Sequence, residues 1–198
     1  PRGAERSVAA IAEEAEVDHE VARSRFLESF ERMLDRRDNV AMGAYAEALV
    51  LAALPGSSAG TSRWDFADIR WNGRTIQVKN STAYAEGRKL DREPHPARWT
   101  APKCFGIDEN LDWIDGDEKR RFADLYLFVR HDGHDHRTGW SVRPVPTSWL
   151  DGHLTDKGGV SASTLEAAGW TVVPFAGLAG WVQEHVDAHQ ARAEAARG

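Results

Sequence analysis

The chain has 198 residues, with 25 Lys and Arg against 31 Asp and Glu, giving a formal net charge of −6; that is one domain's worth of length, and a second full-sized domain is excluded. Hydrophobic residues make up 41% and charged residues 28%, with eight Trp, so the sequence can bury a core and general disorder is excluded. Its one cysteine, Cys104, excludes an intramolecular disulfide framework and a multi-cysteine metal site, and fits a reducing compartment. No secretory pattern is present, and the longest apolar run, residues 40–54, is too short to span a bilayer and contains Glu47; the expectation is a cytoplasmic protein with no membrane partner.

Residues 5–15 and 18–34 carry apolar side chains at helical spacing (Val8, Ile11, Ala12, Ala15; then Val21, Phe26, Phe30, Leu34), which predicts two amphipathic helices. Residues 11–21 have a helix-turn-helix outline that would suit a DNA-binding regulator. Glu16, however, stands where the turn favours Gly, and Glu13, Glu14, Asp18 and Glu20 would face phosphates, so a packing or dimerising pair fits better. Asp38 and Asn39 are good N-caps for a third helix over 40–54, which Pro55-Gly56 stops; residues 56–61 then read as a loop. Residues 68–80 alternate polar and apolar side chains around Asn72-Gly73, a strong hairpin signal.

Residues 83–102 are rich in Arg, Lys, Pro and His without a sustained period and predict a short helix or an irregular segment on the substrate side; residues 108–119 predict an acidic, exposed connection. Residues 122–130 and 139–145 read as strands joined by a turn, 163–168 as a short helix, 170–173 as a strand and 178–193 as a closing amphipathic helix. His131, Asp132, His134, Asp135 and His136 in the turn fit a polar loop better than a metal site, because their spacing matches no helix face. Cys104 reads as a small buried hydrophobe. The Trp residues read as core, although Trp99 has basic surroundings in which an indole can stack on a base or sugar.

If the hairpin loop is the two-residue turn at Asn72-Gly73, Asp68 pairs with Gln77 and Ile69 with Ile76. Ala67, Ile69, Trp71, Ile76 and Val78 then share the core face, and Asp68, Arg70, Thr75, Gln77 and Lys79 the other. A carboxylate, an amide and an ammonium therefore cluster. Glu47, the single charge on an otherwise apolar helix expected to be buried on most of its surface, must be paired, protonated or bound to metal. Beside Asp68 it would complete the hard-oxygen environment that Mg²⁺ prefers, with Lys79 placed to stabilise charge on a phosphate.

Gly-Ala-Tyr-Ala-Glu (43–47) on an apolar helix, Trp-Asp-Phe-Ala-Asp-Ile (64–69), and Ile-Gln-Val-Lys-Asn-Ser (76–81) after a hairpin resemble the PD-(D/E)xK, or restriction-endonuclease-like, nuclease superfamily in its Gln-x-Lys variant. The resemblance implies an α/β fold: a restriction-endonuclease-like core at 38–198, with a mixed sheet of four or five strands flanked by helices and the motif hairpin near its centre, preceded by an N-terminal helical pair at 1–37. It implies Glu47 as the helix acid, Asp68 as principal metal ligand, Gln77 as second ligand, the Val78 carbonyl facing the metal, and Lys79 as the catalytic lysine. It further implies Mg²⁺, or Mn²⁺ in its place, and cleavage of DNA to 5′-phosphate and 3′-hydroxyl ends in a restriction or defence setting. Cutting both strands of a duplex would call for two sites and hence a homodimer. Asp65 is a rival motif acid that falls on the opposite face of a regular strand. No Pro precedes Asp68, and neutral Gln77 replaces the commoner Glu, so a binding-only relative of the same fold is the alternative.

Asn80, Ser81, Arg70, Arg88 and Lys89 are candidate nucleic-acid contacts. Residues 69–103 hold eight basic residues against three acids, so the acidic chain carries a local surplus of positive charge where a polyanion would be steered to the hairpin.

Overall fold

The computed structural model describes residues 19–60, 67–84, 94–105 and 118–184. Helix α1 (His19–Asp35) is followed by α2 (Asn39–Ala53). Asp38 caps α2: its Oδ1 accepts the Val40 and Ala41 N–H groups at 2.9 and 3.1 Å, satisfying two donors the helix itself leaves open. The helix buries Ala41, Met42, Ala46 and Val50, but Val40 is 76% exposed and Ala44 and Ala48 also face outward. Burial is thus one-sided rather than all round, because small Ala side chains leave little apolar area to hide on the outer flank. Phe30, Met33 and Leu34 near the end of α1 pack on Ala41, Met42 and Tyr45 of α2. The expected helix over 5–15 and most of the helix-turn-helix outline lie outside the described residues.

Seven strands follow among the described residues: β1 (Ser58–Ala59), β2 (Ile69–Trp71), β3 (Arg74–Thr82), β4 (Arg98–Thr100), β5 (Leu125–His131), β6 (Trp140–Pro146) and β7 (Gly159–Ser161); α3 (Thr147–His153) and α4 (Ala162–Ala167) flank β7. The main sheet runs β1-β2-β3-β5-β6, with β3 and β5 parallel and the other pairs antiparallel, and β4 and β7 form a separate antiparallel ribbon. The protein is mixed α/β, and its motif hairpin supplies the central strand. Asn72 and Gly73 both have positive φ, 47° and 75°, the conformation of a two-residue turn whose twist matches the strands. The register is accordingly Ile69↔Ile76, Arg70↔Thr75 and Trp71↔Arg74. Asp124 Oδ2 accepts both Thr75 N–H and Oγ1–H at 2.8 Å, which pins the start of β3 beside β5.

One sheet face buries Ile69, Trp71, Ile76, Val78, Leu125, Leu127 and Val129 against Ala46, Val50 and Leu54, with Leu178 and Val182 of the helical residues 178–184 closing the layer. The opposite face packs Tyr126 and Phe128 under Trp99 and Val160 of the ribbon, with Leu150 and Leu165 from α3 and α4. Each fully buried aliphatic or Phe side chain contributes about 1.5–3 kcal/mol by its removal from water, so both layers hold the central strands in place.

Several expectations change. The loop at 56–61 contains β1, the irregular stretch 83–102 contains β4, and 170–173 makes a single bridge, Val142↔Val173, rather than a strand. Trp99 is 4% exposed and its Nε1 donates to the Val129 carbonyl at 2.9 Å; it is core and has no face for a base. Cys104 is exposed instead of buried, because it sits in an isolated bridge to Arg120 outside the packed layers. The 131–138 turn is polar but not solvated throughout. His131 is buried against Trp140 with its Nε2 2.9 Å from the Asp135 carbonyl, and His136 is buried between Glu31 and Asp35 of α1. No helix among the described residues is long and apolar enough to cross a membrane.

The hairpin turn depends on Gly73 at φ 75°, where a Cβ meets no neighbour but strains the backbone. Gly73→Ala is expected to cost about 1–2 kcal/mol, read as a lower urea midpoint with an unchanged slope.

Candidate active site

In the β2–β3 ladder alternate residue pairs exchange both backbone bonds, so continuing it past Ile69↔Ile76 would aim the Val78 N–H at the carbonyl of residue 67. The ladder ends instead, and Asp68 Oδ2 accepts the Val78 N–H at 2.7 Å and the Gln77 Nε2–H at 2.5 Å. A side-chain carboxylate thus completes the edge of the strand at the point where β2 separates from β3. Both bonds are charge-assisted and stronger than the neutral amide bond they replace. The pairing also fixes the faces: Ile69, Trp71, Ile76 and Val78 are buried, while Gln77 and Lys79 are half-buried on the other side of β3.

Glu47, on α2, is near enough to Asp68 and Lys79 for their charges to act on its carboxyl. Burial pushes its carboxyl above the usual range, the nearby Asp68 raises it further, and the Lys79 ammonium partly offsets both. Glu47, Asp68 and Lys79 therefore share one electrostatic neighbourhood, although they come from a helix and two strands. Tyr126 stands in register with Gln77 on β5. Burial pushes its phenol up to about 12; Arg121 opposes that shift, and Cys104, Asp151 and Asp68 add to it. The phenol is consequently a protonated hydrogen-bond donor at neutral pH. Cys104 is exposed, yet partial desolvation of its sulfur by the surrounding chain pushes the thiol up, with the Lys79 charge opposing.

Cys104, Tyr126 and Arg121 join the sequence-predicted set from outside the motif. Arg121, its side chain fully buried, donates to the Ala101 carbonyl at 2.6 Å, Asp151 Oδ1 at 2.6 Å and the Thr155 carbonyl at 3.0 Å, clamping the segment before Cys104 against α3. No local pattern marks these residues; their proximity follows from the parallel β3–β5 pairing and the ribbon above it.

The candidate nucleic-acid contacts divide. Arg70 is exposed on the outer face of β2. Asn80 has the opposite parity to Lys79 and donates from Nδ2 to Thr82 Oγ1 at 3.3 Å. Ser81 Oγ accepts from Arg130 Nη1 at 3.0 Å, and Arg130 also holds Asp132 and the His95 carbonyl, so Ser81 serves an internal network. Arg88, Lys89 and the rival acid Asp65 lie outside the described residues.

A hard divalent cation suits the donors present: the Asp68 and Glu47 carboxylates, the Gln77 amide oxygen and the Val78 carbonyl. The fit is seen in Glu47 itself, an acid whose ionised form is disfavoured beside a second carboxylate and which a cation would relieve. Among the described residues no group of three or more His, Cys, Asp and Glu is gathered as a metal centre. Protein ligation here would therefore rest on two carboxylates supplemented by neutral oxygens.

No protein-family model and no curated protein matches the sequence.

Because the folded pKa of Glu47 is raised, the native state binds more protons than the unfolded chain between the two values, and stability falls as pH rises through that window. In metal-free buffer Glu47→Gln is expected to melt above wild type at pH 7 and to converge with it at pH 4. Calorimetry at the two pH values checks this, and an equal offset at both would contradict the assignment.

Proposed function

We propose that the chain is a metal-dependent endonuclease with a restriction-endonuclease-like core, hydrolysing phosphodiester bonds of DNA. One observation carries this: Asp68 ends the hairpin ladder by accepting the Val78 N–H, with Glu47 and Lys79 in the same electrostatic neighbourhood. Two acids, an amide and an ammonium in the motif's order and facing are the parts that phosphodiester hydrolysis requires.

A Mg²⁺ or Mn²⁺ ion held by Asp68, Gln77, the Val78 carbonyl and Glu47 would supply Lewis-acid activation and neutralise developing charge. The chain's own groups do the rest. Glu47 takes a proton from the attacking water at a carboxylate oxygen. Lys79 Nζ donates to the phosphate oxygen on which negative charge builds. The water oxygen bonds to phosphorus as the bond from phosphorus to the 3′ oxygen breaks, and that oxygen leaves with the electron pair and takes a proton from solvent water to become the 3′-hydroxyl.

Supercoiled plasmid incubated with Mg²⁺, Mn²⁺ or EDTA tests the proposal. Wild type is expected to nick or linearise it with either metal alone, and Asp68→Ala and Lys79→Ala to lose about 100-fold or more. Equal turnover by all three proteins, or turnover in EDTA, would overturn it.

A second reading has its own support. The Gln77 amide turns its N–H₂ rather than its oxygen toward Asp68, which closes the ligand set and suits a protein that binds DNA without cutting it. Plasmid binding with no turnover in any metal would favour that reading.

A further inference from the structure

The β4–β7 ribbon packs its inner residues, Trp99 and Val160, onto Tyr126 and Phe128. In the parallel register these stand beside Gln77 and Lys79, so the ribbon covers the same sheet face that carries the candidate site. Its outer side is a groove of about 490 Å³. By strand alternation Arg98 and Thr100 of β4 point outward there, opposite Ser161 and Gly159 of β7, and Thr164 of α4 closes one end.

Three properties of this groove bear on what it would hold. No carboxylate lines it, although the protein carries a net charge of −6. Arg98 is exposed and makes no ion pair with any described residue. The Ser161 hydroxyl caps α4, accepting the Thr164 N–H at 3.1 Å, and lies 2.9 and 2.8 Å from the Ser163 and Thr164 hydroxyls; three hydroxyls joined by two bonds keep one hydrogen to donate, and a Cβ on Gly159 would meet nothing within 4 Å, so the floor is open to close approach. A guanidinium with a hydroxyl donor over an uncharged floor is chemistry for a phosphodiester. Trp99 rests on Phe128 with ring centroids 5.4 Å apart, and Phe128 is the register partner of Lys79, so the groove lies one packed layer above the strand that carries Lys79. Such a layer is about 10 Å thick, roughly three nucleotide steps of one strand at about 3.4 Å each.

We propose that the groove between Arg98, Thr100, Gly159, Ser161 and Thr164 is a second DNA contact, which grips the phosphate backbone a few nucleotides from the hairpin site. It rests on the nuclease reading above and adds an anchor that holds the strand independently of sequence. Arg98 is the main contact, and the hydroxyl cluster positions a phosphate oxygen.

The test is binding of a fluorescein-labelled 20-base-pair duplex in EDTA, titrated at several salt concentrations, so that no cleavage intervenes. Arg98→Ala is expected to bind about five- to tenfold more weakly near 0.1 M salt, with the slope of log K against log salt shallower by about one, equally for unrelated sequences. Arg98→Lys should keep the slope. Gly159→Glu, which places a carboxylate in open space, should weaken binding at least as much as Arg98→Ala. Wild-type affinity and slope in both Arg98→Ala and Gly159→Glu would overturn the inference while leaving the plasmid result for Asp68 and Lys79 intact. Loss of plasmid cleavage dependence on those two residues, with the Arg98 slope change retained, would instead overturn the nuclease reading alone.

Discussion

A single carboxylate oxygen, Asp68 Oδ2, determines where β2 and β3 part. By accepting the Val78 N–H at 2.7 Å and the Gln77 Nε2–H at 2.5 Å, it substitutes for the next backbone carbonyl of the ladder. The strand can then end without leaving a half-buried donor unsatisfied, which would cost about 1–3 kcal/mol. The same bonds orient Gln77, and alternation along β3 sets Lys79 on that face two residues on. Everything else in the fold supports this point: Asp124 pins the beginning of β3, the parallel β5 backs it, and α2 lies across the buried face.

Charge is sorted by burial. Arg121 and Arg130 are nearly inaccessible and are satisfied by carbonyls, a hydroxyl and single carboxylates, so they act as internal clamps rather than as an attractive surface. Arg70 on the hairpin and Arg98 on the ribbon are exposed, and Lys79 is half-buried. Burial of Glu47 with Asp68 nearby has a stability cost at neutral pH, which a cation held by the two acids would offset.

The parts of this arrangement that were legible in the sequence are those set by local chemistry. Asn72-Gly73 requires positive φ at two positions, which dictates a two-residue turn, and parity then places Asp68, Gln77 and Lys79 together. Asp38 and Pro55-Gly56 bracket α2, and the lone charge of that helix marked Glu47. What escaped depends on distant partners. Strands β1, β4 and β7 have two or three residues, too few to carry a period, and exist because another segment pairs with them. Tyr126 and Cys104 reach the site through the parallel pairing and the ribbon. Trp99 has basic neighbours in sequence yet points inward, since strand alternation sends Arg98 and Thr100 out.

The central claim is that Glu47, Asp68, Gln77 and Val78 form one cation site. Adding substoichiometric Mn²⁺ to the ¹⁵N-labelled protein and following amide line broadening addresses it without reference to any substrate. Selective bleaching of the amides of Glu47, Asp68, Val78 and Lys79, with the acidic, histidine-rich turn at 131–138 unaffected, is the predicted result. Broadening confined to that turn, or none at the hairpin at Mn²⁺ concentrations that saturate the protein, would contradict it.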